Sequence, residues 1–290
     1  MEDVFFSICV PTYNRSHLVK NVYESVSQQK YQKWKLYFCN DCSTDDTQQK
    51  LESLSESDER VSYLSQAENG GVNKARNRII SHIQKEAPSS YIVFIDDDDV
   101  LAEGALSTAA EIIKNTPGYF WYGLNCINKD GSKFTRSKKY GEITYLNDYM
   151  FGKILRGDPT NIIKADAIGD LRFTEEFKNA EEWFLWCNLS LKFPMYLVDQ
   201  PGSIKEFLSD GLTSNGFNRC RIVDVAKYKI KVLEPIVGRK AMLHQYVTIA
   251  KYLIKKRDFD QATDYLKKTF FCSPLYLRQY KHWLNLASKK

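Results

Sequence analysis

The sequence predicts an α/β fold of Rossmann type, a central sheet with helices on both faces, followed by a helical C-terminal region. Three observations carry this expectation. Short apolar runs alternate with amphipathic helical stretches through residues 4–101. Each run ends in polar loop residues, which parallel strands would gather at one edge of the sheet. The fourth run, Tyr91 to Ile95, delivers four adjacent carboxylates, Asp96, Asp97, Asp98 and Asp99, to that edge.

Taken in order, Val4 to Val10 is β-branched and aromatic and reads as the first strand, which Pro11-Thr12-Tyr13-Asn14-Arg15 leaves as a turn. A helix follows with Leu18, Val19, Val22 and Val26 on one stripe. Lys35 to Cys39 is the second strand. The loop Asn40 to Asp45 leads to a helix for which Ser43 and Asp46 suggest an N-cap close to a capping box. Val61 to Leu64 is the third strand. After Asn69-Gly70-Gly71 a helix begins near Val72 and turns Val72, Ala75, Ile79 and Ile83 inward, with Arg76 in its first turns off that stripe. Tyr91 to Ile95, short and flanked by Pro88-Ser89-Ser90, reads as a strand buried on both faces.

A helix over about 103–114 and a strand over 119–127 follow, the strand closed by a turn at Asn128 to Gly131. Residues 140–168 show no clear period. A helix opens over Asn179 to Trp186 and ends near Lys192, with Glu181 and Glu182 in its first turn, where the helix dipole favours acids. Short strands at Val198 and at 204–208 flank Pro201-Gly202. The tail from Asn218 reads as four helices punctuated by Pro235, Gly238 and Pro274. Within it, Tyr246 to Lys256 and Phe259 to Phe271 form one helical hairpin packed through Ala250, Leu253, Ala262 and Leu266.

Four like charges at a strand end gain nothing for folding unless a cation or a shared proton relieves them. A hard divalent metal is the simplest relief, and an extended backbone would turn Asp96 and Asp98 into one crevice and Asp97 and Asp99 away from it. At 43% apolar and 13% aromatic, the chain can build a large core, which excludes disorder as its main theme. No apolar run reaches the roughly 18 residues of a membrane-spanning helix. Met1-Glu2-Asp3 is acidic where a secretory signal is basic, so the protein is expected in the cytoplasm. Seven cysteines, an odd number without a framework, read as reduced thiols. Cys39-Asn40-Asp41-Cys42 lacks the second pair that a zinc ribbon needs.

Charge is unevenly divided. Residues 221–290 carry 16 Lys and Arg against 5 Asp and Glu, a net of +11, and the first 220 residues carry 25 against 31, a net of −6. Lys255-Lys256-Arg257 and Lys267-Lys268 lie near Phe259, Phe270 and Phe271. Two readings stay open for this tail: docking on the inner face of an anionic membrane, or a homo-oligomer interface. No nucleic-acid partner is expected.

Six segments now stand in order: Val10 to Arg15, Asn40 to Asp45, Asn69-Gly70-Gly71 with Ala75-Arg76-Asn77, Asp96 to Asp99, Glu181-Glu182-Trp183, and Asp210-Gly211-Leu212-Thr213. Together they resemble the motif series of the inverting family 2 glycosyltransferases of the GT-A fold, over about residues 4–215. The resemblance implies a GT-A (Rossmann-like) mixed sheet flanked by helices over 1–217, with a nucleotide-binding half at about 1–101 and an acceptor half at about 102–217, then a basic helical region at 218–290. It implies nucleoside contacts from Pro11, Thr12 and Tyr13, with Tyr13 beside the base, and further nucleotide contacts from Arg15, Asn69, Gly70 and Asp97. Asp41 and Arg76 would read a uracil edge or its surroundings, and Asp96 would approach the ribose or the metal. Asp98, with Asp96, would hold Mn²⁺ or Mg²⁺ on the diphosphate. Glu181 or Glu182 would be the general base, and Trp183 and Trp186 would meet the acceptor.

The implied reaction moves a sugar from a nucleotide-sugar, a UDP-sugar first of all, to a hydroxyl of a saccharide or lipid-linked saccharide. A leaving diphosphate benefits from a divalent cation, and inversion needs one base on the opposite face of the sugar. The chain departs from the family pattern where Asn40 replaces Asp, Cys42 replaces Gly and Glu182 replaces Asp. Ile92 to Leu101 also fits the first motif of haloacid-dehalogenase-like phosphatases, with Asp96 as nucleophile and Asp98 as acid/base, but that motif opens its domain and here three strand–helix units precede it. A sugar-nucleotide binder without catalysis would keep the loops and leave the Glu pair structural.

Overall fold

The computed structural model describes residues 3–152, 154–178, 181–206, 219–273 and 282–283. Strands β1 (Phe6–Thr12), β2 (Trp34–Asn40), β3 (Val61–Ser65) and β4 (Tyr91–Phe94) alternate with helices α1 (Val19–Ser27), α2 (Thr47–Ser57) and α3 (Val72–Glu86). The four strands are parallel and lie in the order β3-β2-β1-β4. The chain therefore runs outward from β1 to β3, then returns to the other side of β1. The loops after β1, β2 and β4 meet at that reversal, where an open α/β sheet forms its crevice.

Why β1 takes the centre is plain from its sequence. All seven of its residues are buried, because the sheet is covered on both faces. Phe6, Ile8 and Val10 pack with Val19, Val22 and Val26 of α1 and Leu51 of α2. On the other face α3 buries Ala75, Ile79, Ile80 and Ile83, and its His82 meets the ring of Tyr37 on β2 edge to face.

Beyond β4 come β5 (Val100–Leu101), α4 (Ala105–Asn115), β6 (Trp121–Asn128), β7 (Arg136–Ser137), β8 (Gly141–Ile143), β9 (Leu155–Arg156), β10 (Thr160–Lys164), α5 (Ala165–Ile168), α6 (Trp183–Ser190) and β11 (Met195–Lys205). β10 runs antiparallel between β4 and β6, and β11 is parallel to β6, so the sheet is mixed, as the resemblance implied. The aperiodic stretch contains a π-helix at Tyr145–Phe151 between short strands, a combination without a repeating hydrophobic signal.

Several local expectations are corrected. The helix expected from Ser43 starts at Thr47, because Ser43 is used between loops: its hydroxyl accepts the Asn14 N–H at 2.9 Å. Glu181 and Glu182 precede the first turn of α6 instead of lying in it; Glu182 is the N-cap and Glu181 has φ +67°. The two strands around Pro201-Gly202 are one strand, β11, with register shifts at Pro201, and Gly202 is held where a Cβ would lie 2.6 Å from Thr160 Oγ1. Pro235 sits inside a helix and does not end one. Asn179, Ala180 and the Asp210 to Thr213 motif lie outside the described residues, as does most of the fourth tail helix.

The chain divides into two compact units, Met1–Leu208 and Ser209–Lys290. The second contains α7 (Arg219–Val237), a 3₁₀ turn at Arg239–Met242, α8 (Leu243–Lys255) and α9 (Phe259–Cys272). Val223, Ala226, Ile249, Ala250, Leu253, Ala262 and Leu266 form its core. Asp258 caps α9 by accepting the Gln261 N–H at 3.2 Å, a contact that typically stabilises a helix by about 1 kcal/mol. Among the described residues no helix is long and apolar enough to cross a membrane.

Gly71 and Gly104 both have positive φ, +89° and +72°, but a Cβ on Gly71 would lie 1.9 Å from the Lys178 carbonyl oxygen while none lies within 4 Å at Gly104. Gly104→Ala is expected to cost about 1 kcal/mol, from the backbone alone. Gly71→Ala must also displace Lys178 and is expected to cost roughly 2–3 kcal/mol or more. Thermal unfolding of both variants is the check; equal losses in Tm would contradict it.

Candidate active site

The loop after β1 is laced to the loop after β2. The Asn14 side chain accepts the Thr44 N–H at 2.8 Å, the Arg15 N–H donates to Thr47 Oγ1 at 3.1 Å, and the Ser16 N–H donates to Asp45 Oδ2 at 3.1 Å. Asn14 and Cys42 both adopt left-handed backbone, φ +53° and +61°. Cys42 thus keeps the angle that a glycine would take without a Cβ clash, at a typical cost of roughly 1–2 kcal/mol. Pro11 and Thr12 are buried beneath this rim, and Tyr13, 41% exposed, projects from it.

Asp41 is buried and holds the turn that opens α3. Its Oδ1 accepts Gln66 Nε2 at 2.5 Å and the Gly70 N–H at 2.8 Å, and its Oδ2 accepts the Gly71 N–H at 2.7 Å. Each carboxylate oxygen offers two lone pairs, so one acceptor position remains, at Oδ2. Asn69 and Gly70 are half-buried along the same turn.

From α3, Arg76 reaches under the acidic loop. Its guanidinium pairs with Asp96 on one side and with Glu182 Oε1 at 2.9 Å on the other, and lies 5.2 Å from the centre of the Phe173 ring. Burial works against its charge, but Asp96 and Glu182 outweigh it and hold the group more firmly protonated than usual. Arg76 was expected off the buried stripe; it is buried instead, because α3 turns three polar side chains, Asn73, Arg76 and Asn77, toward the chain as well. Asn77 accepts the Phe173 N–H at 2.8 Å and Asn73 donates to the Thr174 carbonyl at 2.8 Å, which docks the segment carrying Phe173.

The four aspartates do not alternate. The backbone leaves the extended state after Phe94, and the Asp99 N–H donates to the Asp96 carbonyl at 3.2 Å, closing a turn. Asp96, Asp98 and Asp99 therefore converge, with one oxygen from each within 4.8 Å of the others, while Asp97 accepts the Tyr13 N–H at 3.4 Å. Lys205, at the end of β11, pairs with Asp99 and lies 3.6 Å from Asp96. Burial would push Asp96 up, but Arg76 and Lys205 hold it down to about 2. Burial pushes Asp97 up to about 7, and pushes Asp99 up to about 7 against the pull of Lys205. Asp98 is raised by burial and by Asp96, and no Lys or Arg pairs with it among the described residues. Three carboxylates in this arrangement suit a hard divalent cation with oxygen ligands.

The Glu pair divides. Glu182, with its side chain 34% exposed, faces Arg76, whereas Glu181 Oε2 accepts the Trp183 indole N–H at 2.6 Å. Trp183 and Trp186 are buried, Trp186 among Phe94, Trp121 and Phe173. That aromatic wall continues through Trp121 to Tyr145, which stacks on Tyr149 at 4.5 Å. Tyr145 donates to Asp158 Oδ1 at 3.3 Å, and burial, then the charge of Glu182, push Asp158 up to about 6. Lys205, Tyr145 and Tyr149 were missed in the sequence. A lysine ending a strand matches no motif, and its pairing with the acidic loop is set by the sheet, not by local sequence.

A family model described as glycosyl transferase family 2 matches residues 7–175. The chain is 31% identical over 214 residues to the Campylobacter jejuni protein named GalNAc(5)-diNAcBac-PP-undecaprenol beta-1,3-glucosyltransferase, covering 71% of this chain and 66% of that one. It is 29% identical over 196 residues to the Escherichia coli protein WfgD, named UDP-Glc:alpha-D-GlcNAc-diphosphoundecaprenol beta-1,3-glucosyltransferase, covering 65% and 71%. In fold it is similar to S. aureus TarS 1–349 in complex with UDP-GlcNAc, with a TM-score of 0.72 at 19% identity over 98% of this chain and 89% of that one. The family match sets the phosphatase reading aside.

Because the Asp158 carboxyl titrates higher in the folded chain than its ordinary 3.8, the folded state holds a proton that the unfolded chain releases between about pH 4 and pH 6. Stability from this group is present at low pH and falls as pH rises through that window. Asp158→Asn is expected to flatten the fall by on the order of 1 kcal/mol, read by urea unfolding of the metal-free protein. An unchanged pH dependence would contradict the assignment.

Proposed function

The chain belongs to glycosyl transferase family 2, and from that premise we propose that it transfers a hexose, with inversion, from a UDP-linked donor to a hydroxyl of a lipid-diphosphate-linked saccharide. The observation that carries this reading is the Arg76 guanidinium shared by Asp96 and Glu182, which ties a donor-side carboxylate to a candidate base. Glu182 takes the proton of the acceptor hydroxyl as its oxygen bonds to the anomeric carbon, and the bond to the diphosphate breaks with its electrons leaving on the diphosphate. Glu181 is engaged by the Trp183 indole and orients the segment.

On the donor side, Pro11, Thr12, Tyr13, Arg15, Asn69 and Gly70 form the nucleotide rim, and the remaining acceptor position of Asp41 suits a uracil N–H. Asp97 braces Tyr13. Asp98 and Asp96 would hold Mn²⁺ or Mg²⁺, which when bound neutralises charge on the departing diphosphate. Lys205 offsets part of the negative charge of Asp99 and Asp96 beside it. Trp183 and Trp186 fix the acceptor wall.

A lipid-linked acceptor and a basic second unit together favour peripheral contact with the inner face of an anionic membrane over a homo-oligomer interface. Co-sedimentation with anionic liposomes that disappears in high salt is the expected result, and binding indifferent to both salt and anionic lipid would count against it.

Glu182→Gln is expected to lower kcat by about 10²- to 10⁴-fold while leaving UDP affinity within a few-fold, and Glu181→Gln to keep most of the turnover. Asp98→Asn should abolish the dependence of transfer on Mn²⁺ together with the transfer itself. Full turnover by Glu182→Gln would refute the base assignment.

A further inference from the structure

Within the second unit lies a recess of about 540 Å³ between α7, the turn that follows it, α8 and α9. Its charged lining is Lys231 and Glu234 from α7, Arg239 from the turn and Lys268 from α9, with Tyr246 and Tyr265 forming its walls. The single acid of this lining is answered from within. Glu234 Oε1 accepts Arg239 Nε at 3.1 Å, and its Oε2 accepts the Tyr246 hydroxyl. Arg239 makes that contact through Nε, with its side chain 70% exposed, so its terminal nitrogens remain as donors at the rim. Lys268 lies 5.0 Å from the centre of the Tyr265 ring, which places an ammonium against an aromatic wall. The Tyr246 and Tyr265 rings stand 6.3 Å apart at 45°.

With Arg239 paired to Glu234, the three cations and one acid leave a net charge of +2 from Lys231 and Lys268, which selects an anion, and arginine with lysine is a pairing that binds phosphate oxygens. The half-buried Tyr265 ring adds a surface for the carbon skeleton of a sugar or polyol, backed by the buried Tyr246. The volume suits a small phosphorylated group; a nucleic-acid backbone would call for a stripe of charge along a surface. The acceptors named for the two relatives carry a diphosphate. We propose that this recess anchors a phosphate ester of the acceptor, separately from the donor site in the first unit. This rests on the reading that the acceptor is phosphate-bearing, and its test is separable from that of donor chemistry.

The experiment is calorimetric titration of the full chain with glycerol 3-phosphate, alongside sedimentation with phosphatidylcholine vesicles with and without phosphatidylglycerol. The expected result is binding that weakens about tenfold in Lys231→Ala and in Lys268→Ala, the scale of one charge-assisted contact, and is retained in Lys268→Arg. UDP binding with Mn²⁺ should be unchanged in all three. Binding of the soluble ester with this dependence on the variants supports the acceptor assignment; binding of phosphatidylglycerol vesicles alone would assign the phosphate to a lipid headgroup and overturn it. Absence of both, or variants that bind as the wild type does, overturns the proposal. UDP binding by the wild-type chain is measured in parallel, and its failure would strike the donor reading whatever the recess does.

Discussion

The buried guanidinium of Arg76 is the interaction on which the rest of the first unit depends. Taking a charge out of water costs several kcal/mol, and Arg76 is only 7% exposed, so it is tolerable there because Asp96 and Glu182 both meet it. Those two acids come from distant parts of the chain, one at the end of β4 and one at the start of α6. Each is a like charge near others, so the cation also answers their repulsion. Removing one member of such a group typically costs about 3–5 kcal/mol, because the remaining charges are left uncompensated. The same contact that stabilises the fold thereby sets the distance between the Asp96 and Glu182 carboxylates.

Around this centre the sheet reversal does the gathering. Because β2 and β3 lie on one side of β1 and β4 on the other, the loops that carry Tyr13, Asp41 and Asp96 end at one crevice. The backbone there is held in uncommon conformations: Asn14, Cys42 and Glu181 all have positive φ. Such strain persists only where surrounding bonds over-determine it, and the lacing of the first two loops is such a set of bonds. Lys205 closes the ring of charge from β11, pairing with Asp99 and lying near Asp96.

Much of this was legible in the sequence. The four parallel strands follow from apolar runs with polar exits, and the run Asp96 to Asp99 marked the acidic cluster that the fold gathers after β4. What stayed illegible has physical causes. Periodicity describes an extended strand, and the turn at Asp96 to Asp99 ended that strand one residue early, which regrouped Asp99 with Asp96 and turned Asp97 toward Tyr13. Arg76 stood off the inward stripe because a helical stripe is drawn from apolar positions, and a buried ion network has no apolar signature. Tyr145 and Tyr149 lie in a π-helix and Asp158 in the short link between β9 and β10, where no single repeat accumulates over enough residues to be seen. Cys42 shows the reverse case: a residue that departs from the family's glycine keeps the glycine's backbone angle, because neighbouring loops hold it.

The claim that Arg76 acts by holding Glu182 is tested most directly by the kcat of the double variant Arg76→Lys with Glu182→Gln, set against both single variants. If the two residues form one functional unit, the double variant is no slower than Glu182→Gln alone, within a few-fold. Multiplicative losses, with the double variant slower by the product of the two single effects, would mean that Arg76 and Glu182 act independently and would contradict this account.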